Sequence, residues 1–235
     1  MIHVFDTMGT IVTIEPTLRA TEIEAVFTEL DARFSLYRAD SELSRIADGT
    51  LRLTDASAEL RDAYGRALEW RSLTGGAFSP HRPDGVIDLS GIVKALALEE
   101  AGALLADRGD WILNAGGDVL TSGGSATIGI TDPFDRTQLL TSVRLGGARR
   151  AIATSGSAER GDHIWGRGGF AQVTVVADDI LTADVLATAI VSGGVDTLNA
   201  STASWDIDVL AIDAAGNLFA TPGLTAAIAS AARER

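Results

Sequence analysis

Hydrophobic positions change their spacing partway along the chain, and the change separates a helix-rich first half from a strand-rich second half. Ile2 to Asp6 and Ile11 to Glu15 read as two short strands, with Thr7-Met8-Gly9-Thr10 as the turn between them. Ile23, Val26, Phe27, Leu30 and Phe34 then recur at helical spacing and predict an amphipathic helix from about Thr17 to Leu36. Ser41, Ser44 and Ile46 predict a short second helix. A third stripe, Leu60, Tyr64, Ala67 and Leu68, runs to a Gly75-Gly76 stop. Beyond the proline-containing stretch from Pro80 to Pro83, Val86 to Leu89 is expected as a strand and Ile92 to Ala106 as a helix entered through Ser90-Gly91.

In the second half, Trp111 to Asn114, Ala126 to Ile130, Ser142 to Leu145, Ala151 to Thr154 and Gln172 to Val176 read as strands between Gly-rich or polar turns. Asp179 to Ser192 reads as a helix, Ile207 to Ile212 and Leu218 to Ala220 as a hairpin, and Leu224 to Ala232 as a closing helix. Helices first and strands afterwards, with no regular βαβ repeat, predict an α+β fold and argue against a doubly wound sheet. The length of 235 residues predicts one domain, 1–235.

Charge narrows the function. Lys and Arg total 19 against 32 for Asp and Glu, a formal charge of −13, which argues against a nucleic-acid surface. Cysteine is absent, so disulfides, thiolate metal sites, cysteine nucleophiles and a lipidated cysteine are excluded. No basic start followed by an apolar run marks a signal peptide, and no stretch reads as long and apolar enough to span a bilayer. The expected location is the cytoplasm, without membrane insertion. The cations are eighteen arginines and one lysine, Lys94, which invites a reason for a compact ammonium at that position.

Five short segments could carry chemistry. Asp88-Leu-Ser-Gly-Ile-Val-Lys94 places backbone donors and a cation at a helix start, a phosphate point or simply a capped helix with a surface lysine. Asn114-Ala-Gly116-Gly117-Asp118 lets the backbone approach a ligand, or is a plain tight turn. Thr154-Ser155-Gly156 offers the same pair of readings. His163 lies among Gly, Asp and Arg and is a candidate proton carrier or phosphate contact. Asp184 and Thr188 share one face of an apolar helix, where a carboxylate and a hydroxyl suit Mg²⁺; the alternative is an Asp that caps another helix.

Together with Met8-Gly9-Thr10, FSLYRADSEL from Phe34, TGGAFSP from Thr74 and ADVLAT from Ala183, these segments occur in one order that resembles the ApbE-type FAD:protein FMN transferases over nearly the whole chain. The resemblance implies two intertwined lobes with FAD held in a central cleft and Mg²⁺ near its pyrophosphate. Such proteins move FMN from FAD onto a Thr or Ser hydroxyl of an acceptor flavoprotein and release AMP. Water in place of the acceptor gives an FAD pyrophosphatase, and a chain that kept only the cleft would be a non-catalytic FAD-binding protein. Matched by motif, Asp184, Thr188 and the Gly91 carbonyl stand as metal ligands, and Lys94, His163 and Asp184 as catalytic residues. Met8, Tyr37 and Ser41 line the flavin cleft, and Asp88, Gly116, Gly117, Thr154, Ser155 and Gly156 join Lys94 and His163 as cofactor contacts. The chain departs from the family pattern at Ala95, where Gly is usual, and at His163-Ile164-Trp165-Gly166 in place of an H-I-D-P-like turn.

Overall fold

In the computed structural model, residues 1–156 and 169–232 are described, with the side chains of the last four left aside. Among the described residues ten strands and six α-helices follow in the order β1 (His3–Thr7), β2 (Thr10–Glu15), α1 (Ala20–Phe34), α2 (Glu42–Ala47), α3 (Ala58–Leu73), α4 (Ser90–Leu104), β3 (Ile112–Ala115), β4 (Asp118–Thr121), β5 (Ala126–Thr131), β6 (Leu139–Leu145), β7 (Ala151–Gly156), β8 (Phe170–Ala177), α5 (Ile180–Ser204), β9 (Asp208–Asp213), β10 (Leu218–Ala220) and α6 (Pro222–Ala232). Eight strands form one sheet in the order β1-β2-β3-β4-β7-β8-β9-β10, and β5 pairs with β6 apart from it. Every pairing is antiparallel, as an α+β fold requires.

The middle of the sheet is covered on both faces. Ala151, Ala153, Val173, Val175, Val209 and Ala211 point into a large core shared with α1, α4 and α5, while the intervening Ile152, Val176 and Leu210 meet β5, β6 and Leu224 of α6. Strands buried on both sides read as continuous apolar runs, which is why β7, β8 and β9 show little alternation. At the β1 edge one side faces water: Val12 and Ile14 are buried while Ile11 and Val4 are exposed.

Helix ends follow their capping chemistry. The Ser41 hydroxyl accepts the Ser44 N–H at 2.9 Å to start α2, Ser57 accepts the Leu60 N–H at 3.2 Å to start α3, and Asp179 accepts the Thr182 N–H at 2.7 Å to start α5. The 25-residue α5 is two helices joined at Gly194, whose φ of 70° and ψ of −152° are not helical. It is longer than the helix expected from Asp179 to Ser192, which ended two residues before this bend. By length and composition it could cross a membrane, against the expectation from sequence. Its first half, however, is packed into the large core through residues such as Val185, Leu186 and Ile190.

Two further elements differ from expectation. Val86 to Leu89 forms no strand; only Ile87 makes a bridge, to His81, and the segment belongs to an arm closed by Arg82 N–H to Val86 O at 2.9 Å. Conversely, Asp118–Thr121 is a four-residue strand pairing with β3 and β7. On α3 the buried stripe is Leu60, Ala63 and Ala67, and Leu68 is exposed.

Candidate functional site

The turns that carry the motifs gather at one end of the sheet. Register places the β1–β2 turn beside the β3–β4 turn, through Val12 opposite Ala115, and then beside the end of β7, through Val119 opposite Ile152. Met8 and Gly9 close the first turn with φ of 50° and 69°, the left-handed pair of a two-residue hairpin. Left-handed backbone costs a non-glycine residue about 1–2 kcal/mol, so Met8 is held against its own preference by the Thr7–Thr10 pairing.

Met8 and Gly9 form part of the wall of a cleft of about 680 Å³, together with the end of α1, the segment Ser35 to Arg38, and the entry to α4. Tyr37 stands at its mouth with 89% of its surface exposed. Asp88, Ser90 and Lys94 supply the α4 side, where the Ser90 N–H donates to Asp88 Oδ1 at 2.9 Å. Of the residues expected at the cofactor, Met8, Tyr37, Asp88 and Lys94 are therefore on the wall.

Ser41 is not. It is fully buried, its hydroxyl donating to Ser35 O at 2.5 Å and accepting from Ser44 N. The same carbonyl accepts from Ser44 Oγ at 3.0 Å, so Ser41 braces the segment that forms the wall. Gly116 and Gly117 also stand away from the cleft wall among the described residues. They form the β3–β4 hairpin turn with φ of 63° and 96°, and a Cβ at 116 would lie 2.3 Å from Thr10 Oγ1. The glycines are needed for the turn and for the close approach of Thr10, and the Gly117 N–H is held by Asn114 Oδ1 at 2.9 Å.

The turn delivers Asp118, which sequence reasoning did not assign. Asp118 is 1% exposed and forms an ion pair with Lys94, whose side chain is 18% exposed. Its other oxygen accepts the Thr154 N–H at 3.3 Å. Thr154 Oγ1 lies 2.9 Å from Thr174 Oγ1, and on the opposite face Ser155 Oγ lies 3.0 Å from Thr188 Oγ1. Thr154, Ser155 and Gly156 thus belong to the interior strand β7 and are absent from the described wall. They link the cleft lysine to α5. Asp184, one helical turn before Thr188, is fully buried.

Among the described residues no cluster of three His, Cys, Asp or Glu side chains could hold an ion by itself. Of the residues expected at a metal, Asp184 and Thr188 lie one turn apart on α5, with the Thr188 hydroxyl sharing its hydrogen bond with Ser155, and Gly91 lies in the first turn of α4. Helices α4 and α5 pack together, and Gly91 in the first turn of α4 is pressed on Phe78, where a Cβ would lie 2.9 Å from the ring. That contact is the structural reason for glycine at 91. Ala95, fully buried on α4, fits its place without adjustment. His163 lies outside the described residues.

The family model described as the ApbE family matches residues 8–82 and 81–211. The fold is similar to an ApbE protein from Thermotoga maritima, at 21% identity and a TM-score of 0.82, covering 97% of this chain and 99% of that one. It is similar also to the flavin transferase ApbE of Vibrio cholerae, at 22% identity, TM-score 0.75 and coverages of 96% and 98%. A third similar structure is the apo form of the Pseudomonas stutzeri flavinyl transferase ApbE, at 19%, 0.76, 97% and 96%. No curated protein matches the sequence.

Proposed function

Because this chain belongs to the ApbE family, we propose that it transfers FMN from FAD to a Thr or Ser hydroxyl of an acceptor protein and releases AMP. The observation that carries the reading is the unbroken path from the cleft wall to α5: Lys94 to Asp118, Asp118 to the Thr154 N–H, and the adjoining Ser155 to Thr188. It ties a phosphate-sized cation to the helix that bears the oxygen pair. The names of the similar Vibrio and Pseudomonas structures agree with flavin transfer.

In this mechanism the acceptor oxygen attacks the phosphorus of the FMN half, the bond to the bridging oxygen breaks, and AMP leaves with that oxygen. Tyr37 at the mouth and Met8 on the wall offer an aromatic and a thioether surface to the flavin ring. Lys94 is held in place by Asp118, so its ammonium meets phosphate oxygen without having to be ordered on binding. Mg²⁺, held by Asp184, Thr188 and the Gly91 carbonyl, would neutralise charge that develops on the pyrophosphate oxygens. His163 is the proposed acceptor of the hydroxyl proton.

The test is incubation with FAD and Mg²⁺, with and without a Ser/Thr-bearing acceptor flavoprotein, following AMP and covalent flavin on the acceptor. AMP matched by flavinylated acceptor is expected. AMP without need of acceptor would make the protein an FAD pyrophosphatase, and FAD binding with no AMP would make it a carrier. Asp184→Ala is expected to bind FAD and to lose turnover, and His163→Ala to slow single-turnover AMP release by about 10² or more.

A further inference from the structure

The arm between Pro80 and Asp88 brings to the cleft a side chain that none of the motifs accounts for. The two segments of the family match overlap here, at His81 and Arg82. Arg82 forms part of the cleft wall beside Asp88 and Lys94. One of its terminal nitrogens pairs with Asp84 at 3.1 Å, but Nε is buried and has no hydrogen-bond partner among the described residues. The Arg82 side chain as a whole is 33% exposed, so its guanidinium is open to a ligand oxygen in the cleft.

The arm is fixed before any ligand arrives. The Arg82 N–H donates to Val86 O and the Gly85 N–H to Arg82 O, both at 2.9 Å, while the Asp88 N–H donates to Pro80 O at 2.8 Å. On the α3 side the His81 ring meets Tyr64 edge-on and shares a 2.9 Å hydrogen bond with its hydroxyl. A guanidinium presented by such an arm loses little freedom on binding. Its planar fork matches phosphate oxygens, and the competing Asp84, about half exposed, is a weak rival for it. Arg38, Arg82 and Lys94 bring three cations to the wall, each with a carboxylate beside it: Asp31, Asp84 and Asp118 in turn.

We infer that Arg82 reads a phosphate of the bound flavin nucleotide and sets this cleft's preference for phosphorylated over uncharged flavin, with Tyr64 and His81 as positioning residues. The inference rests on the flavin-nucleotide reading above. The experiment compares the affinities of wild type, Arg82→Ala, Arg82→Lys and Tyr64→Phe for riboflavin, FMN and FAD by flavin fluorescence. Arg82→Ala is expected to weaken FAD by about tenfold or more and to leave riboflavin within about twofold. Arg82→Lys should recover part of the loss, and Tyr64→Phe should lose a smaller share with the same selectivity for phosphate, which a merely structural role would not produce. A loss shared by FMN and FAD puts the contact on the phosphate next to the ribityl chain, and a loss confined to FAD puts it on the AMP side. Equal losses for riboflavin and FAD, or no loss, would overturn the role of Arg82 while leaving the flavin reading intact. A wild type that binds none of the three would overturn that reading and this inference with it.

Discussion

Replacing Asp118 with Asn removes one charge and almost no volume, and keeps an oxygen for the Thr154 N–H. Lys94 is then left at the cleft wall without its counterion. Removing one partner of a fully buried pair costs about 3–5 kcal/mol. Asp118 is 1% exposed but Lys94 is 18% exposed, so water reaches the ammonium and the expected loss falls to roughly 1.5–3 kcal/mol. For a chain of this size each kcal/mol shifts Tm by about 2–4 °C, so a fall of roughly 3–12 °C is expected. Urea unfolding is the assay, with the midpoint lowered and the slope unchanged. Lys94→Met removes the stranded charge, so the double variant should be more stable than the sum of the two single losses implies. An Asp118→Asn protein within about 0.5 kcal/mol of wild type, or single losses that simply add, would refute the pairing as a stabilising and orienting contact.

Lys94→Arg keeps the charge but sets a larger planar group against buried Asp118, so FAD titration should show weaker binding; unchanged affinity would make any cation sufficient there. Gly116→Ala should cost about 2–4 kcal/mol and Gly117→Ala about 1, because both have positive φ but only a Cβ at 116 meets Thr10; equal losses in urea unfolding would contradict this. Arg149 bonds Asp208 at 3.2 Å, Asp178 at 3.1 Å and Asp206 O at 2.6 Å, and also pairs with the Asp206 carboxylate. Burial disfavours its cation, yet the Asp206 hydrogen bond and the three carboxylate charges raise its pKa overall. Arg149→Ala should therefore lose about 1–2 kcal/mol, partly recovered by added salt, and a loss insensitive to salt would assign the effect to packing. The Asp213 carboxyl is held below the ordinary carboxylate range by hydrogen bonds from the Asn217 side chain and backbone, so its stabilisation is present above the ordinary carboxylate value and is lost as pH falls through the lowered one. Asn217→Ala should move the Asp213 titration, read by NMR, back up toward that value, and no movement would discount the side-chain bond.

The legible parts of the chain are those whose signal is local. Ile23, Val26, Phe27, Leu30 and Phe34 are the buried face of α1, as their spacing predicts, because a helix stripe needs only its own period to be recognised. Four residues following two glycines carry no such period, and β4 exists because β3 and β7 offer it hydrogen bonds from both sides. Val86 to Leu89 has strand-like composition, but Pro80 and Pro83 bound an arm whose hydrogen bonds close on itself. Ser41, a cleft position by family resemblance, is fully buried in the structure and caps α2, a contact its spacing to Ser44 makes possible. The partner of the lone lysine was invisible because it lies 24 residues away, across the packing of α4 on β4.

That pairing also explains how lysine and arginine divide the work at the cleft. An ammonium has no preferred plane and can face Asp118 and a ligand oxygen together, so a fixed carboxylate behind it costs no ligand contact. A guanidinium binds two oxygens in one plane; one terminal nitrogen of Arg82 meets Asp84, and the side chain lines the cleft. Lys94 is anchored from inside the fold and Arg82 from a surface arm, and the two approach one wall from different elements. In a protein whose net charge of −13 repels a dinucleotide, Lys94 and Arg82 give the cleft two cations able to meet phosphate oxygens. Raising ionic strength should then weaken phosphorylated flavins at this wall far more than riboflavin, because screening acts only on the charged part of the ligand.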